Sequence, residues 1–382
     1  MSKRTSTLLL AAFTCIAAFA WEPVNRSGYN LVWSDEFNNG ALNTEVWNIE
    51  TNGNGGGNNE LQYYCDRGVR VGTDAASGEG CLILTATKEN YGGRTCTSGR
   101  VNTMGKVYFK HGKVEARIKM PSTANGLWPA YWMLGNDYPD VNWPRCGEID
   151  ICEMGNGNGI SAGTQDRYFN GACHWGFYND QGQYPNYANA VTWDYSLQDG
   201  QFHTFTLYWD NNYVTMYCDE AAYPNRDPYY QMGVSDVSGD WSTGLYFQKP
   251  FFLLFNLAVG GNFMGYYDIN QVTALNSGSA SMYIDYVRVY QQGNSTDTFV
   301  GPTSDNAAIS VVEAAAQHVF IADNVLVVPT EVTSLRLFDL QGHEVMHTTE
   351  HNVSAKLLTP GMYIAVMQHT DGTTTQQKLI KQ

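Results

Sequence analysis

The helical period is almost missing from the first three-quarters of this chain, and that restricts the fold more than any motif does. From Trp21 to about Gln291, apolar residues come in short runs cut by Gly, Asn, Asp and Pro. Val114–Met120 (VEARIKM) alternates apolar and polar residues, the period-two pattern of a strand with one face buried. Phe202–Trp209 and Tyr213–Cys218 flank Asp210-Asn211-Asn212 and read as a hairpin. The apolar run Phe251–Val259 ends at Gly260-Gly261 and suits a strand buried on both faces; Met282–Tyr290 alternates again. Many strands with no βαβ rhythm predict an all-β, two-sheet sandwich or jelly roll over residues 21–291.

Of the 382 residues, 43% are hydrophobic, enough for a large core, and only 15% are charged. A formal charge of −15 argues against nucleic acid or an anionic membrane face as partner and favours a neutral substrate. Lys3 and Arg4 precede the apolar stretch Leu8–Phe19, and Ala18-Phe19-Ala20 is a cleavage site before Trp21. Residues 1–20 therefore read as a signal peptide and the chain as secreted. The stretch is too short to span a bilayer, no other segment suits a membrane span, and a monomer is expected.

Without Cys15, seven cysteines remain: Cys65, Cys81, Cys96, Cys146, Cys152, Cys173 and Cys218. The odd number requires at least one free thiol or an intermolecular bond, and the lack of any C-x-x-C pair speaks against zinc. Residues 292–308 are polar and read as a linker; 309–382 read as a small β module, with alternating strands Ser334–Leu340 and Gly361–Met367.

Residues 147–155 (GEIDICEMG) crowd Glu148, Asp150 and Glu153 into six positions. In a regular strand Glu148 and Asp150 share a face and Glu153 points away. One extra residue, a β-bulge at Ile151-Cys152, returns Glu153 to the face of the other two while Ile149 still points into the core. Retaining cleavage of a glycosidic bond needs two carboxyls, one as nucleophile and one as acid/base, and a third between them pushes their pKa values apart. The competing readings are a solvated acidic strand and a calcium site. The Ile-rich, uncharged surroundings favour catalysis over either.

This stretch resembles the E-x-D-x-x-E signature of glycoside hydrolase family 16 in its bulged form. Trp33–Phe37, Gly57–Tyr64, Gly126–Leu134 and Phe255–Asn262 are similar to segments of the family's laminarinase branch, in the same order. The resemblance implies a jelly-roll sandwich with a concave cleft and a retaining mechanism. Glu148 would be nucleophile, Glu153 acid/base and Asp150 the assisting acid. The lichenases carry a shorter E-x-D-x-E form, so the added residue favours β-1,3-glucan.

For the substrate, aromatic faces suit sugar C–H surfaces, and Asn, Arg and His suit hydroxyl edges. Trp128, Trp132 and Trp143 are the expected platforms, with core packing as the alternative. The resemblance also points to Asn58, Arg117, His174 (near the acid/base) and Asn262 as substrate-binding residues. Arg117 could equally ion-pair with Glu115 or another acid, His174 could be buried, and Asn262 could serve a turn. A structural Ca²⁺ on the convex side is implied at Asp285, with backbone oxygens near Glu36 and Gly80. No cofactor is expected for catalysis.

In the tail, Leu335–Gly342, Leu358–Ile364 and Gln377–Lys381 resemble the type IX secretion sorting domain, implying export by that machinery. A small carbohydrate-binding or spacer domain is the alternative, weakened by the lack of Trp. Besides a retaining endo-β-glucanase for β-1,3- or mixed-linkage glucan, two readings stay open. One is a non-catalytic glucan-binding protein; the other is a same-fold hydrolase of agarose, carrageenan or xyloglucan.

Overall fold

Alternation in sequence becomes alternation in burial along strand Gly112–Lys119, where Val114, Ala116 and Ile118 are fully buried and their neighbours are not. The computed structural model describes residues 21–302 and, beyond them, 319–381 except 323–324, 330–331, 340 and 371. The expected signal peptide and residues 303–308 of the expected linker lie outside the described residues.

Two large, mainly antiparallel sheets form the main unit. In the first, Gly112–Lys119 lies between His203–Trp209 and Ser279–Gln291. The hairpin His203–Trp209/Tyr213–Cys218 pairs in the register its turn demands, Trp209 opposite Val214. The second sheet runs in the order Asn186–Thr192, Tyr168–His174, Glu148–Met154, Leu127–Gly135, Phe251–Val259, Arg100–Asn102 and Asn48–Ile49. Between the sheets lies one continuous core, including Leu82, Val114, Tyr131, Ile149, Phe205, Phe255 and Val287. Phe251–Val259 is buried at every position. One of its faces feeds that core, and the other carries Phe252 and Leu254 into a smaller apolar patch with Leu134 and Cys146. The architecture is the all-β sandwich the sequence predicts.

The expected linker needs correction at its start. Thr298–Val300 pairs with Tyr108–Lys110, Phe299 opposite Phe109, so the chain stays attached to the second sheet through Val300. Asp297 accepts from the backbone N–H groups of Gln292, Gly293 and Asn294, at 3.2, 3.1 and 3.3 Å. Polar residues that read as linker are engaged in satisfying backbone donors.

The described C-terminal residues form a three-stranded and a four-stranded sheet around a core of Leu326, Leu335, Leu337, Ala365 and Leu379. All seven cysteines after residue 20 are free and buried. Among the described residues, no helix is long and apolar enough to cross a membrane.

Candidate active site

Strand Glu148–Met154 sits between Leu127–Gly135 and Tyr168–His174, and the ladder slips on both sides of it. Trp132 faces Asp150 while Tyr131 already faces Cys152; on the other side Asp150 faces Ala172 and Glu153 faces Asn170. Ile151 and Cys152 thus lie opposite the single residue Gly171, which is the bulge the sequence requires. A carbonyl thrown out of the ladder must find another donor; that of Ile151 accepts from the buried Tyr229 hydroxyl. Gly171 makes room there, since a Cβ on it would fall 3.1 Å from the Tyr229 ring. Ile149, Ile151 and Met154 go into the core, and the three acids share the opposite face.

Each acid has its own neighbours. Trp143 Nε1–H donates to Glu148 Oε2 at 2.9 Å. Trp128 Nε1–H donates to Glu153 Oε1 at 3.0 Å, and Asn170 Nδ2–H to Glu153 Oε2 at 2.8 Å. Asp150 Oδ2 is buried without a hydrogen-bond partner among the described residues; His174 Nε2 lies 3.3 Å from it and 3.9 Å from Glu148 Oε1. The other ring nitrogen of His174 is 3.2 Å from the Tyr184 hydroxyl. His174 stands directly against Asp150 and Glu148, because it pairs in register with Glu148, and it is near enough to act on Glu153 as well.

Burial raises all three carboxyls above their ordinary values. Glu148 and Asp150 each also feel a neighbouring carboxylate, which adds to the rise. Trp143 donates to the charged form of Glu148, and Asn170 and Trp128 to that of Glu153, which opposes it. One oxygen each of Glu148 and Asp150 and one nitrogen of His174 lie within 4.8 Å of one another. That spacing suits a cation, but burial raises both carboxyls, so protons compete for the same oxygens.

The three expected tryptophans all border this face. Trp128 stacks on Phe263 at 4.4 Å and 10°, and Trp132 Nε1–H donates to Asn256 Oδ1 at 2.7 Å. Trp143 packs edge-on against Tyr184 at 4.7 Å. Asn262 precedes Phe263, and its N–H donates to Asn58 O at 2.8 Å, so both expected asparagines sit on the rim beside Trp128. Gly261 permits that approach: its φ is +88°, and a Cβ would lie 2.7 Å from Asn58 O.

Arg117 is misplaced by the sequence reading. Its strand belongs to the other sheet and its polar face is the outer one; Arg117 takes the alternative, an ion pair with an acid, through Asp285, and covers Phe202 at 4.6 Å. The guanidinium on the acid-bearing sheet is that of Arg100, 4.8 Å over the Trp132 ring and 2.8 Å from Glu50. Arg100, Glu50, Asn170 and Tyr184 were not singled out from sequence. Arg100 lies on a strand of three residues, too short to show a period.

Asp285 sits at a register break between Ile284 and Tyr286 and is turned outward there. Glu36 holds Arg288 through two hydrogen bonds of 2.9 and 2.8 Å, and a Cβ on Gly80 would lie 3.0 Å from Phe37 O. The segments expected to hold calcium do converge. The donor set nonetheless fits the ion poorly as it stands, because the one side-chain ligand, Asp285, is engaged by a cation.

Residues 59–234 match the family described as Glycosyl hydrolases family 16. The chain is 32% identical over 302 residues to the beta-glucanase of Rhodothermus marinus, covering 76% of this chain and 95% of that one. It is 34% identical over 277 residues to the clotting factor G alpha subunit of Tachypleus tridentatus, covering 72% of this chain but only 36% of that relative. Among solved structures, a Bacteroides ovatus mixed-linkage glucan family 16 protein, in complex with a G4G4G3G product, is 40% identical. Its TM-score is 0.59, with 68% of this chain and 100% of that one covered. The catalytic domain of a Thermotoga petrophila endo-1,3-beta-glucanase (laminarinase) is 34% identical at a TM-score of 0.56, covering 70% and 99%.

Proposed function

The chain belongs to glycoside hydrolase family 16, and on that premise we propose that it is a secreted, retaining endo-β-glucanase. Its substrate would be laminarin-like β-1,3-glucan or mixed-linkage β-1,3-1,4-glucan. The observation that carries this reading is the bulge at Ile151-Cys152, which sets Glu148, Asp150 and Glu153 on one face with different partners.

Glu148, ionised, attacks the anomeric carbon while Glu153 gives its proton to the glycosidic oxygen, and the bond between them breaks. Glu153, now a carboxylate, takes a proton from water; the water oxygen displaces Glu148, and the configuration is retained. Asp150, raised by burial and by the neighbouring Glu153, holds a proton more readily than an ordinary carboxyl, so it adds no charge against that of Glu148. The indole N–H of Trp143 supports the same charge.

Activity then falls at acid pH as Glu148 is protonated, and at alkaline pH as Glu153 loses its proton. Trp128 favours the charged form of Glu153. Trp128→Phe should therefore move the alkaline limb of the kcat/KM profile to higher pH. A limb that stays in place or moves down would contradict the role of Glu153.

Linkage is carried by two opposing observations. The residue added between Asp150 and Glu153 favours β-1,3-glucan, and the likeness to the mixed-linkage protein favours the other. A panel of laminarin, mixed-linkage glucan, agarose, carrageenan and xyloglucan, with the anomer of the first product read by NMR, tests the proposal. Inverted product, or no cleavage of either β-glucan, would sink it and leave the glucan-binding or other-polysaccharide readings.

Export through the signal peptide and the type IX machinery stays part of the proposal; finding the chain inside cells of its source would remove it. Calcium on the convex side would be structural and would have to displace Arg117 from Asp285. A melting temperature unmoved by calcium or chelator would dismiss it.

A further inference from the structure

The segment that supplies the acids also reaches away from them. Trp143 donates to Glu148, and two residues on, the Arg145 guanidinium lies 4.7 Å over the Phe177 ring. Phe177 meets Trp241 edge-on at 5.8 Å, and Tyr178 meets Trp143 at 5.8 Å. Between these points the strand of His174 continues into Trp175, whose indole N–H donates to Trp241 O at 2.6 Å. Two rings of this path are open to solvent, Tyr178 at 51% and Trp241 at 36%.

The path ends in a depression of about 510 Å³ lined by Phe177, Asp236, Gly239, Asp240, Trp241 and Ser242. Its loop is held in shape before any ligand arrives. Ser242 Oγ–H donates to Asp236 Oδ2 at 2.7 Å, Gly244 N–H donates to Asp236 O at 2.7 Å, and Tyr246 O–H donates to Asp240 O at 2.7 Å. A solvent-facing indole beside a carboxylate matches a sugar ring, whose C–H face stacks and whose hydroxyls donate.

We propose that the Phe177–Trp241 depression is a remote glucan-binding site, joined to the acid cluster through Trp143, Arg145 and Tyr178, which holds a distant part of the polymer being cut. This rests on the β-glucanase reading above. Its occupant is a neutral β-glucan chain, long enough to reach past Trp143, so short oligosaccharides do not use it.

The test compares the full chain with Trp241→Ala and Asp240→Asn on laminarin, on mixed-linkage glucan and on an aryl trisaccharide of the same linkage. It adds affinity electrophoresis in gels containing each polymer. The site predicts about a tenfold rise in polymer KM for Trp241→Ala, a smaller rise for Asp240→Asn, lost retardation in the gel, and a trisaccharide kcat/KM unchanged within about twofold. Equal retardation and equal polymer KM in both variants overturn the proposal, as does a parallel loss on polymer and trisaccharide. If the unsubstituted chain neither cleaves nor binds either glucan, the β-glucanase reading itself has failed, and the remote site falls with it.

Discussion

Glu148→Gln and Glu153→Gln are each expected to lower turnover on a soluble β-glucan by about 10³-fold or more, while the melting temperature at pH 7 holds or rises. Loss of the nucleophile removes the covalent route, and loss of the acid/base removes proton transfer, which alone contributes about 10²–10⁴-fold. The stability half follows from linkage. A carboxyl whose folded pKa lies above its unfolded value binds its proton more tightly when folded. It therefore favours the fold while protonated and weakens it as pH rises past the unfolded value towards the folded one. Burial raises both glutamates in this way. A neutral amide of the same shape removes that cost and keeps an acceptor for Trp143 at position 148. At position 153 its one oxygen can accept from Trp128, while its NH2 meets Asn170, whose Oδ1, without a partner among the described residues, can turn to accept. A variant retaining a tenth of wild-type turnover would remove that residue from the chemistry. A variant that melts many degrees lower would show that its charge supports the fold.

The reach of sequence reasoning ended where long-range pairing began. The bulge was legible because two local rules conflicted: period two separates Glu153 from Glu148, and a catalytic pair needs them together, so an extra residue had to fall between them. Strand alternation likewise told which side of Gly112–Lys119 is polar. It could not tell which sheet that strand enters, and so could not decide between the cleft and an ion pair for Arg117, whose polar face is the outer one of the other sheet. Arg100 comes to the acid-bearing sheet on a strand that pairs with the far-off Phe251–Val259, and Asn170 meets Glu153 only through the register shift that the bulge makes. The role of His174 depended on a one-residue register choice opposite Glu148. At the domain end, the chain's polar composition hid a strand, because Thr298–Val300 draws on a partner nearly two hundred residues earlier.

Trp47→Ala should be the most damaging single truncation outside the site. Trp47 is 1% exposed, and its ring contacts Trp33 at 6.3 Å, Phe37 at 5.9 Å and Phe255 at 5.9 Å. Trp33 belongs to one sheet and Phe255 to the other, so this one side chain bridges the sandwich. Its indole N–H also donates to Asp35 Oδ2 at 2.9 Å. Truncation opens a cavity in a region that backbone pairing prevents from closing, and it takes a donor from a carboxyl that burial already disfavours as an ion. Losses of about 3–5 kcal/mol are typical for such a change, or roughly 10 °C in melting temperature for a unit of this size. Denaturant unfolding measures the loss directly; below about 1 kcal/mol, the bridging role fails. Turnover of the protein that remains folded should be close to normal, because Phe255 stacks on Tyr131 at 4.8 Å on the core side of the sheet, and the acids project from the other side. A fall in turnover without a fall in stability would instead mean that the core transmits strain through Leu127–Gly135 to the bulge.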